Sequence, residues 1–258
     1  MQKAITKALI PAAGAGKRMG YLSGILPKCL FPLAEKPILH HAVENAMRLG
    51  ARDFVIVTHF KEDLLRDYCT ETLVPELGIQ VEFVHQEKLT GLADAILLGR
   101  PFIQEPFVVV LGDDYTAATD FDNLLESFFA HKDAIVLEGI VPEPSRAQLS
   151  GTCCVERAPD GRMLRIQEKP REPFSEFRGT GFYLFRPDVF DAIENTPVTP
   201  QRHEREITET IRLLAESGHA YAEFLRGINL NINTFDDLLN AWNTHARIAD
   251  FLRAFQCR

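Results

Sequence analysis

The chain has 258 residues, enough for one α/β domain with elaborations, and its 46 % hydrophobic and 25 % charged content is ordinary for a globular protein. A formal net charge of −8 argues against a nucleic-acid binder, which carries a basic face, and the longest apolar stretches are strand-sized, too short to span a bilayer. The five cysteines (Cys29, Cys69, Cys153, Cys154, Cys257) form no CxxC pair, and their odd count and scatter suit a reduced, cytoplasmic protein with packed thiols.

The N-terminus carries Lys3 and Lys7 but runs straight into a glycine-rich turn, so no signal peptide is expected. Ala8 to Ala12 reads as a short apolar strand. Pro37 to Leu49 reads as a helix, with Ile38, Leu39, Ala42, Val43, Ala46 and Met47 on one face and Gly50 after its end. Phe54 to Thr58 is a second strand, Glu62 to Cys69 a helix and Gln80 to Val84 a third strand. Leu92 to Leu98 reads as a helix and Phe107 to Leu111 as a strand buried on both faces. Such alternation predicts a mostly parallel sheet with right-handed crossovers.

The second half is less regular. Ala134 to Val141 is another apolar strand. Thr152 to Glu156 and Met163 to Gln167 flank the turn signal Pro159-Asp160-Gly161 and predict a hairpin. Gly181 to Phe185 is a further strand, Glu204 to Ser217 an amphipathic helix closed by Gly218, and a last helix starts near Thr234. No low-complexity tract, repeat or linker divides the chain. The expected fold is α/β, a Rossmann-like doubly wound, mostly parallel mixed sheet with a small β-hairpin elaboration, in one domain over residues 1–258 whose halves meet near residue 115.

The strongest local signal is Leu9-Ile10-Pro11-Ala12-Ala13-Gly14-Ala15-Gly16-Lys17-Arg18-Met19. Small residues after a strand let phosphates approach backbone N–H groups, and Lys17 and Arg18 can neutralise them. A Walker A loop is excluded, because Pro11 stands where its first glycine is needed and Arg18 where it needs Ser or Thr. The GxGxxG fingerprint is excluded by Met19. Leu111-Gly112-Asp113-Asp114 ends the fourth strand. If the sheet is doubly wound, Asp113 faces the glycine-rich loop across the switch point, where a carboxylate suits Mg²⁺.

Pro27-Lys28, Pro32 and Lys36-Pro37 follow the loop in order. With it they make the chain resemble the sugar-phosphate nucleotidyltransferases, which include glucose-1-phosphate thymidylyl- and uridylyltransferases and whose opening runs PAAGxGTR, PK, KP. Lys17 stands at the usual threonine, a feature shared with cytidylyltransferases of isoprenoid synthesis. Later matches extend the resemblance over nearly the whole chain. Gln86-Glu87-Lys88-Leu89-Thr90-Gly91-Leu92 resembles the base-reading segment, Glu168-Lys169-Pro170 the EKP element, and Gly179-Thr180-Gly181-Phe182-Tyr183 the segment lining the sugar pocket.

The resemblance implies transfer of a nucleotidyl group from UTP or dTTP to a sugar 1-phosphate, with glucose 1-phosphate the expected acceptor, Mg²⁺ as cofactor and pyrophosphate released. It assigns residues 1–115 to the nucleotide and 116–258 to the sugar phosphate. Arg18 is implied to hold the leaving phosphates and Lys28 the α-phosphate and the attacking phosphate. Ala12, Ala13, Gly14, Gly16 and Lys17 would cradle the nucleotide, with Gln86 and Gly91 reading its base. Gly151, Glu168, Lys169 and Gly181 would bind the sugar phosphate. Asp113 and Asn231 would be the metal ligands, Asn231 standing where aspartate is commoner and where N-acetylglucosamine-1-phosphate uridylyltransferases carry asparagine. Asn229 to Thr234 can also be read as a helix-leading turn, and the metal role for Asn231 is preferred to it. No hexapeptide repeat of an acyltransferase extension is present. The alternatives are a cytidylyltransferase acting on another phosphorylated sugar or alcohol, a nucleotide-sugar-dependent glycosyltransferase using Gly112-Asp113-Asp114, and a catalytically silent sensor of NDP-sugars. No nucleic-acid or membrane partner is expected, and homo-oligomerisation is left open.

Overall fold

The computed structural model describes residues 4–200 and 203–256. The first half runs β1 (Lys7–Pro11), a short ribbon of β2 (Pro32–Leu33) and β3 (Lys36–Pro37), α1 (Ile38–Arg48), β4 (Asp53–Thr58), α2 (Glu62–Tyr68), α3 (Val74–Leu77), β5 (Gln80–His85), α4 (Leu92–Leu97) and β6 (Phe107–Val110). The second half runs β7 (Asp114–Asp120), α5 (Asp122–Ala130), β8 (Val136–Pro142), α6 (Arg146–Leu149), β9 (Cys153–Arg157), β10 (Met163–Glu168), β11 (Phe177–Phe185), α7 (Val189–Glu194), α8 (Ile207–Glu216), β12 (Ala220–Phe224), β13 (Arg226–Asn231) and α9 (Phe235–Gln256).

Among the described residues the main sheet has nine strands. Strand β1 lies between β4 and β6 and is parallel to both, with β5 parallel beyond β4. Strand β11 is antiparallel to β6, β8 and β9, and β9 and β10 form the expected hairpin. The order is therefore doubly wound, with its switch point between β1 and β6.

Period-two alternation along the central strands feeds two cores. Ala8, Ile10, Phe54, Ile56, Val108 and Val110 pack on one face with residues of α1 and α5. Leu9, Val55, Val57, Phe107 and Val109 pack on the other with residues of α4, α7 and α8. Both faces are covered, which explains why these strands read as unbroken apolar runs. No helix among the described residues is long and apolar enough to cross a membrane.

Several boundaries differ from the sequence reading for physical reasons. Pro37 sits just outside α1 in an extended conformation and caps it. The helix expected to stop at Cys69 continues through a π-turn at Cys69–Leu73 into α3. Pro75 removes one backbone donor there, and the wider turn accommodates the loss. Strand β11 starts four residues before the expected Gly181, because the glycines that lower strand propensity make room for buried carboxyls.

Of the segment Asn229 to Thr234, the first three residues are strand and the last three lead into α9. Residues Arg226–Asn231 pair antiparallel with Asp114–Asp120, placing Asn231 opposite Asp114. This ribbon roofs a third core that includes Met19, Phe31, Tyr115, Ile232 and Leu238. The buried Asn45 of α1 donates through Nδ2 to the carbonyl of Thr116 at 2.8 Å and ties the ribbon to the helix layer. Asn45→Ala removes that donor from a buried carbonyl. The expected loss is on the order of 1–3 kcal/mol, read as a lower urea midpoint with an unchanged slope.

Candidate active site

The glycine-rich loop leaves β1 at the switch point. Ala12 donates its N–H to Val57 O at 2.8 Å, which keeps the loop against the sheet. Gly16 adopts φ 61°, and a Cβ there would stand 3.0 Å from Lys28 Cβ. A side chain at 16 would therefore be strained and crowded at once. Gly112, leading out of β6, lies against the Pro11 carbonyl, where a Cβ would come within 3.3 Å. The two strand ends are thus packed backbone to backbone, and Asp113 emerges beside the loop.

A polar cluster forms there. The Lys28 side chain is buried in a short 3₁₀ turn, its ammonium paired with the Asp113 carboxylate and donating to Asn233 Oδ1 at 3.2 Å. Arg18 donates to the same Asn233 oxygen at 2.6 Å. Asn233 in turn donates through Nδ2 to Asn231 Oδ1. The start of α9 holds Asn233 in place, since the Asp237 carboxylate accepts the N–H groups of Asn233 and Thr234 while Thr234 Oγ1 accepts that of Asp237. Ile232 N–H donates to Asp113 O at 3.0 Å, so the ribbon sets Asn231 next to Asp113.

Two cavities meet at this cluster. One, of about 340 Å³, has Ala12, Ala13 and Gly14 on one side and Gln86 and Gly91 on another, with Lys28 and Asp113 also lining it. The other, of about 210 Å³, is lined by Gly151, Glu168, Lys169 and Gly181, with Arg18 and Asn231. Leu92 and Leu111 line both. Gly16 and Lys17 line neither: Gly16 backs Lys28, and the Lys17 side chain is exposed.

Gln86 is buried, its N–H given to Thr58 O at 2.8 Å and its amide reaching Gly91 O at 3.4 Å. Gly91 has φ 120°, and a Cβ on it would lie 2.3 Å from Arg205 O. Lys169 holds the left-handed φ of 46°, its N–H bound to Thr152 O at 2.7 Å and its ammonium 3.0 Å from Glu168 Oε1.

The sequence reading missed three residues that build this site. Asp114 is buried, its Oδ2 accepting from Gly181 N–H at 2.8 Å and from Asn229 Nδ2 at 3.3 Å. Burial, and then the charge of Asp113, push its carboxyl up to about 6, against the pull of Arg178 and of those two donors. Asn229 also accepts from Arg178 through Oδ1 and its carbonyl, both at 2.9 Å. Asn233 is the third. The spacing Asn229, Asn231, Asn233 was the available signal: period two is a strand's period.

The residues suit a hard cation in kind. Asp113 offers a carboxylate and Asn231 an amide oxygen, while the described residues contain no group of three or more His, Cys, Asp or Glu able to hold a metal alone. Such a set fits Mg²⁺, which takes much of its shell from water and substrate phosphates.

A sequence model of the nucleotidyl transferase family matches residues 7–248. The chain belongs to this family. It is 30 % identical to the bifunctional protein GlmU of Methanocaldococcus jannaschii over 96 % of its own length and 53 % of that protein's. It is 31 % identical to the glucose-1-phosphate thymidylyltransferase of Streptomyces griseus, covering 82 % of this chain and 58 % of that one. The chain thus spans little more than half the length of these two relatives. It is also 32 % identical to the UTP–glucose-1-phosphate uridylyltransferase AglF of Haloferax volcanii, over 82 % and 84 % of the two chains. A solved UDP-glucose pyrophosphorylase bound to UDP-glucose superposes with a TM-score of 0.83 at 26 % identity, covering 94 % of this chain and 99 % of that one. The nucleotidyl transferase fold therefore extends over almost all of this chain.

Gly91 offers a direct test of how this site is packed. Gly91→Ala meets both a left-handed φ and a backbone clash, and is expected to cost roughly 2–4 kcal/mol in thermal or urea unfolding. Gly24→Ala is the control: a Cβ there meets nothing within 4 Å, and stability should stay within about 0.5 kcal/mol of the parent.

Proposed function

We propose that this chain catalyses formation of a nucleoside diphosphate sugar and pyrophosphate from UTP or dTTP and a sugar 1-phosphate, with glucose 1-phosphate the favoured acceptor. The observation that carries the reading is the position of Arg18, Lys28, Asp113 and Asn231 where two cavities meet. One cavity takes the nucleotide along Ala12 to Gly14, with its base against Gln86 and Gly91. The other takes the sugar phosphate, with Lys169 toward the phosphate and Gly151, Glu168 and Gly181 around the sugar. The division near residue 115 follows, since each half supplies most of one cavity.

An acceptor phosphate oxygen attacks the α-phosphorus, and the bond from that phosphorus to the bridging β-phosphate oxygen breaks. The attacking oxygen is already ionised, so no general base is required. Lys28 bridges the α-phosphate and the incoming phosphate, while Arg18 holds the leaving pyrophosphate. Their fixed charge lowers the barrier by positioning two anions and stabilising the charge that builds between them. Bound Mg²⁺, held by Asp113 and Asn231, would add charge neutralisation to the phosphates. The free thiols of Cys29, Cys69, Cys153 and Cys154 support a reducing, cytoplasmic setting; Cys257 lies outside the described residues. A glycosyltransferase, which releases no pyrophosphate, has no use for Arg18 and Lys28 at the junction. Two of the relatives are named for thymidylyl and uridylyl transfer, which disfavours the cytidylyl alternative.

The deciding experiment is a matrix of nucleoside triphosphates against sugar 1-phosphates, scored by pyrophosphate release. UTP or dTTP with glucose 1-phosphate should give the highest rate, and no release in any combination would sink the proposal. In the best combination Lys28→Ala should lower turnover on the order of 10²-fold or more with an unchanged circular dichroism spectrum. Wild-type turnover in that variant would remove Lys28 from the mechanism.

A Mg²⁺ titration tests the ligand pair. Asp113→Ala should lose useful turnover. Asn231→Asp should reach half-maximal rate at lower Mg²⁺, because a second carboxylate replaces a neutral oxygen. An identical Mg²⁺ dependence for the parent, Asn231→Asp and Asn231→Ala would exclude Asn231 as a ligand.

A further inference from the structure

The second cavity contains a carboxylic acid that neither the sequence motifs nor the reaction above uses. Glu138 lies in β8, is 1 % exposed, and lines the cavity together with Glu168 and Arg178. Its Oε2 is fully buried and has no hydrogen-bond partner. A buried, unsatisfied carboxyl oxygen is costly, and natural proteins rarely keep one without a use. The backbone is built around this group: at Gly179 on β11 a Cβ would stand 2.3 Å from Glu138 Oε1 and 3.4 Å from Cys153 Sγ. Any residue but glycine there would push the acid out of place.

The nearby groups show what the acid can bind. Strand β9 brings the Cys153 thiol, the end of β10 brings Glu168 with Lys169 just after it, and β11 brings Arg178 and Tyr183. On the other side β12 sets Ala222, which carries no polar group, opposite Glu138. Lys169 is paired with Glu168. The Arg178 guanidinium points its donors at Asn229, with Nε 3.9 Å from Glu143, and so gives Glu138 a positive neighbour without a hydrogen bond. Burial raises the Glu138 carboxyl well above the usual carboxylate range, Glu168 adds to the rise, and Arg178 opposes it.

We propose that Glu138 is a specificity-determining residue for the acceptor, its carboxyl hydrogen-bonding a hydroxyl of an uncharged sugar ring held in this cavity. The inference rests on the sugar 1-phosphate reading above and names the class of sugar. A neutral acid offers one donor and one acceptor, the complement of a hydroxyl. The buried positive charge of Arg178 disfavours an ammonium group on the ring. A ring carboxylate would lose its water in this cavity without gaining a free cation from it, since Lys169 is paired with Glu168 and Arg178 donates to Asn229, so hexuronic acid 1-phosphates should be rejected. Discrimination of this kind is strong because a substrate lacking the matching hydroxyl leaves a buried polar group unpaired.

The experiment uses glucose 1-phosphate, its monodeoxy analogues, glucosamine 1-phosphate and glucuronic acid 1-phosphate, with the parent, Glu138→Leu and Glu138→Gln. One deoxy analogue should be poorer than glucose 1-phosphate in the parent by roughly 10²-fold in kcat/KM, and Glu138→Leu should shrink that penalty to a few-fold. Glu138→Leu should also raise KM for glucose 1-phosphate while leaving KM for the nucleoside triphosphate in place. Glu138→Gln, which keeps a donor and an acceptor of the same size, should restore most of the discrimination. A purely structural role would lower the melting temperature of Glu138→Leu without changing the deoxy pattern, and that result overturns the proposal. A parent preference for glucosamine 1-phosphate that disappears in Glu138→Gln also overturns it, since a carboxylate would then be reading an ammonium. If Glu138→Leu does not fold, Glu138→Ala decides by the same criterion: the penalty on that analogue must shrink to a few-fold. Should the parent form no nucleoside diphosphate sugar from any acceptor, the functional proposal falls and this one with it. Product formation with a deoxy pattern indifferent to residue 138 overturns this inference alone.

Discussion

The Asp114 carboxylate is the constraint around which the site is organised. It is buried where β6 gives way to the ribbon, and its Oδ2 accepts the Gly181 N–H of β11 and the Asn229 amide of β13. One carboxylate thus joins the strand that enters it, the central sheet and the returning strand. Asp113 precedes it in the chain, and Asn231 lies opposite it in register. A shift at Asp114 would displace both oxygen donors proposed for the metal. Its carboxyl is pushed upward by burial and by Asp113, so the arrangement carries an electrostatic cost that hydrogen bonds and Arg178 only partly offset.

The same device appears twice along one strand. In Gly179-Thr180-Gly181 each glycine faces a buried acid: a Cβ at 179 would meet Glu138 Oε1 at 2.3 Å, and one at 181 would meet Asp114 Oδ2 at 2.5 Å. The intervening Thr180 donates its hydroxyl to Gly139 O at 2.7 Å and closes the gap between β8 and β11. Glycine lowers strand stability on its own. Here it lets two carboxyls reach positions that any side chain would occupy. One acid serves the framework, and the other lines the second cavity.

The cationic side of the site is under a complementary tension. Arg18 and Lys28 both donate to Asn233 Oδ1, so two positive groups converge on one neutral oxygen. Asp113 compensates Lys28, and no carboxylate is paired with Arg18 in the cluster. Like charges held close are unfavourable until an anion arrives. The polyphosphate proposed to bind here would relieve that strain, and charge fixed in place beforehand is the condition for effective electrostatic catalysis. The amides of Asn231 and Asn233 link the cations to the proposed metal ligand without adding charge.

Local pattern in the sequence determined the apolar strands of the first half, the amphipathic helices, the β9–β10 hairpin and the glycine-rich turn after β1. These depend on neighbours within a few residues, so periodicity and turn chemistry are enough. The order of motifs pointed to the family for the same reason, each being a short contiguous signature. The β7–β13 ribbon was not legible, because its strands lie more than 100 residues apart in the chain and Asn229 to Thr234 is rich in residues that also favour turns. Tertiary structure alone decided that Asn233 couples Arg18 to Lys28, that Asp114 and Asn229 hold the frame, and that Glu138, inconspicuous within the apolar run of β8, lines a polar cavity. Burial and the unpaired state of an oxygen belong to the packed chain, and no stretch of sequence carries them.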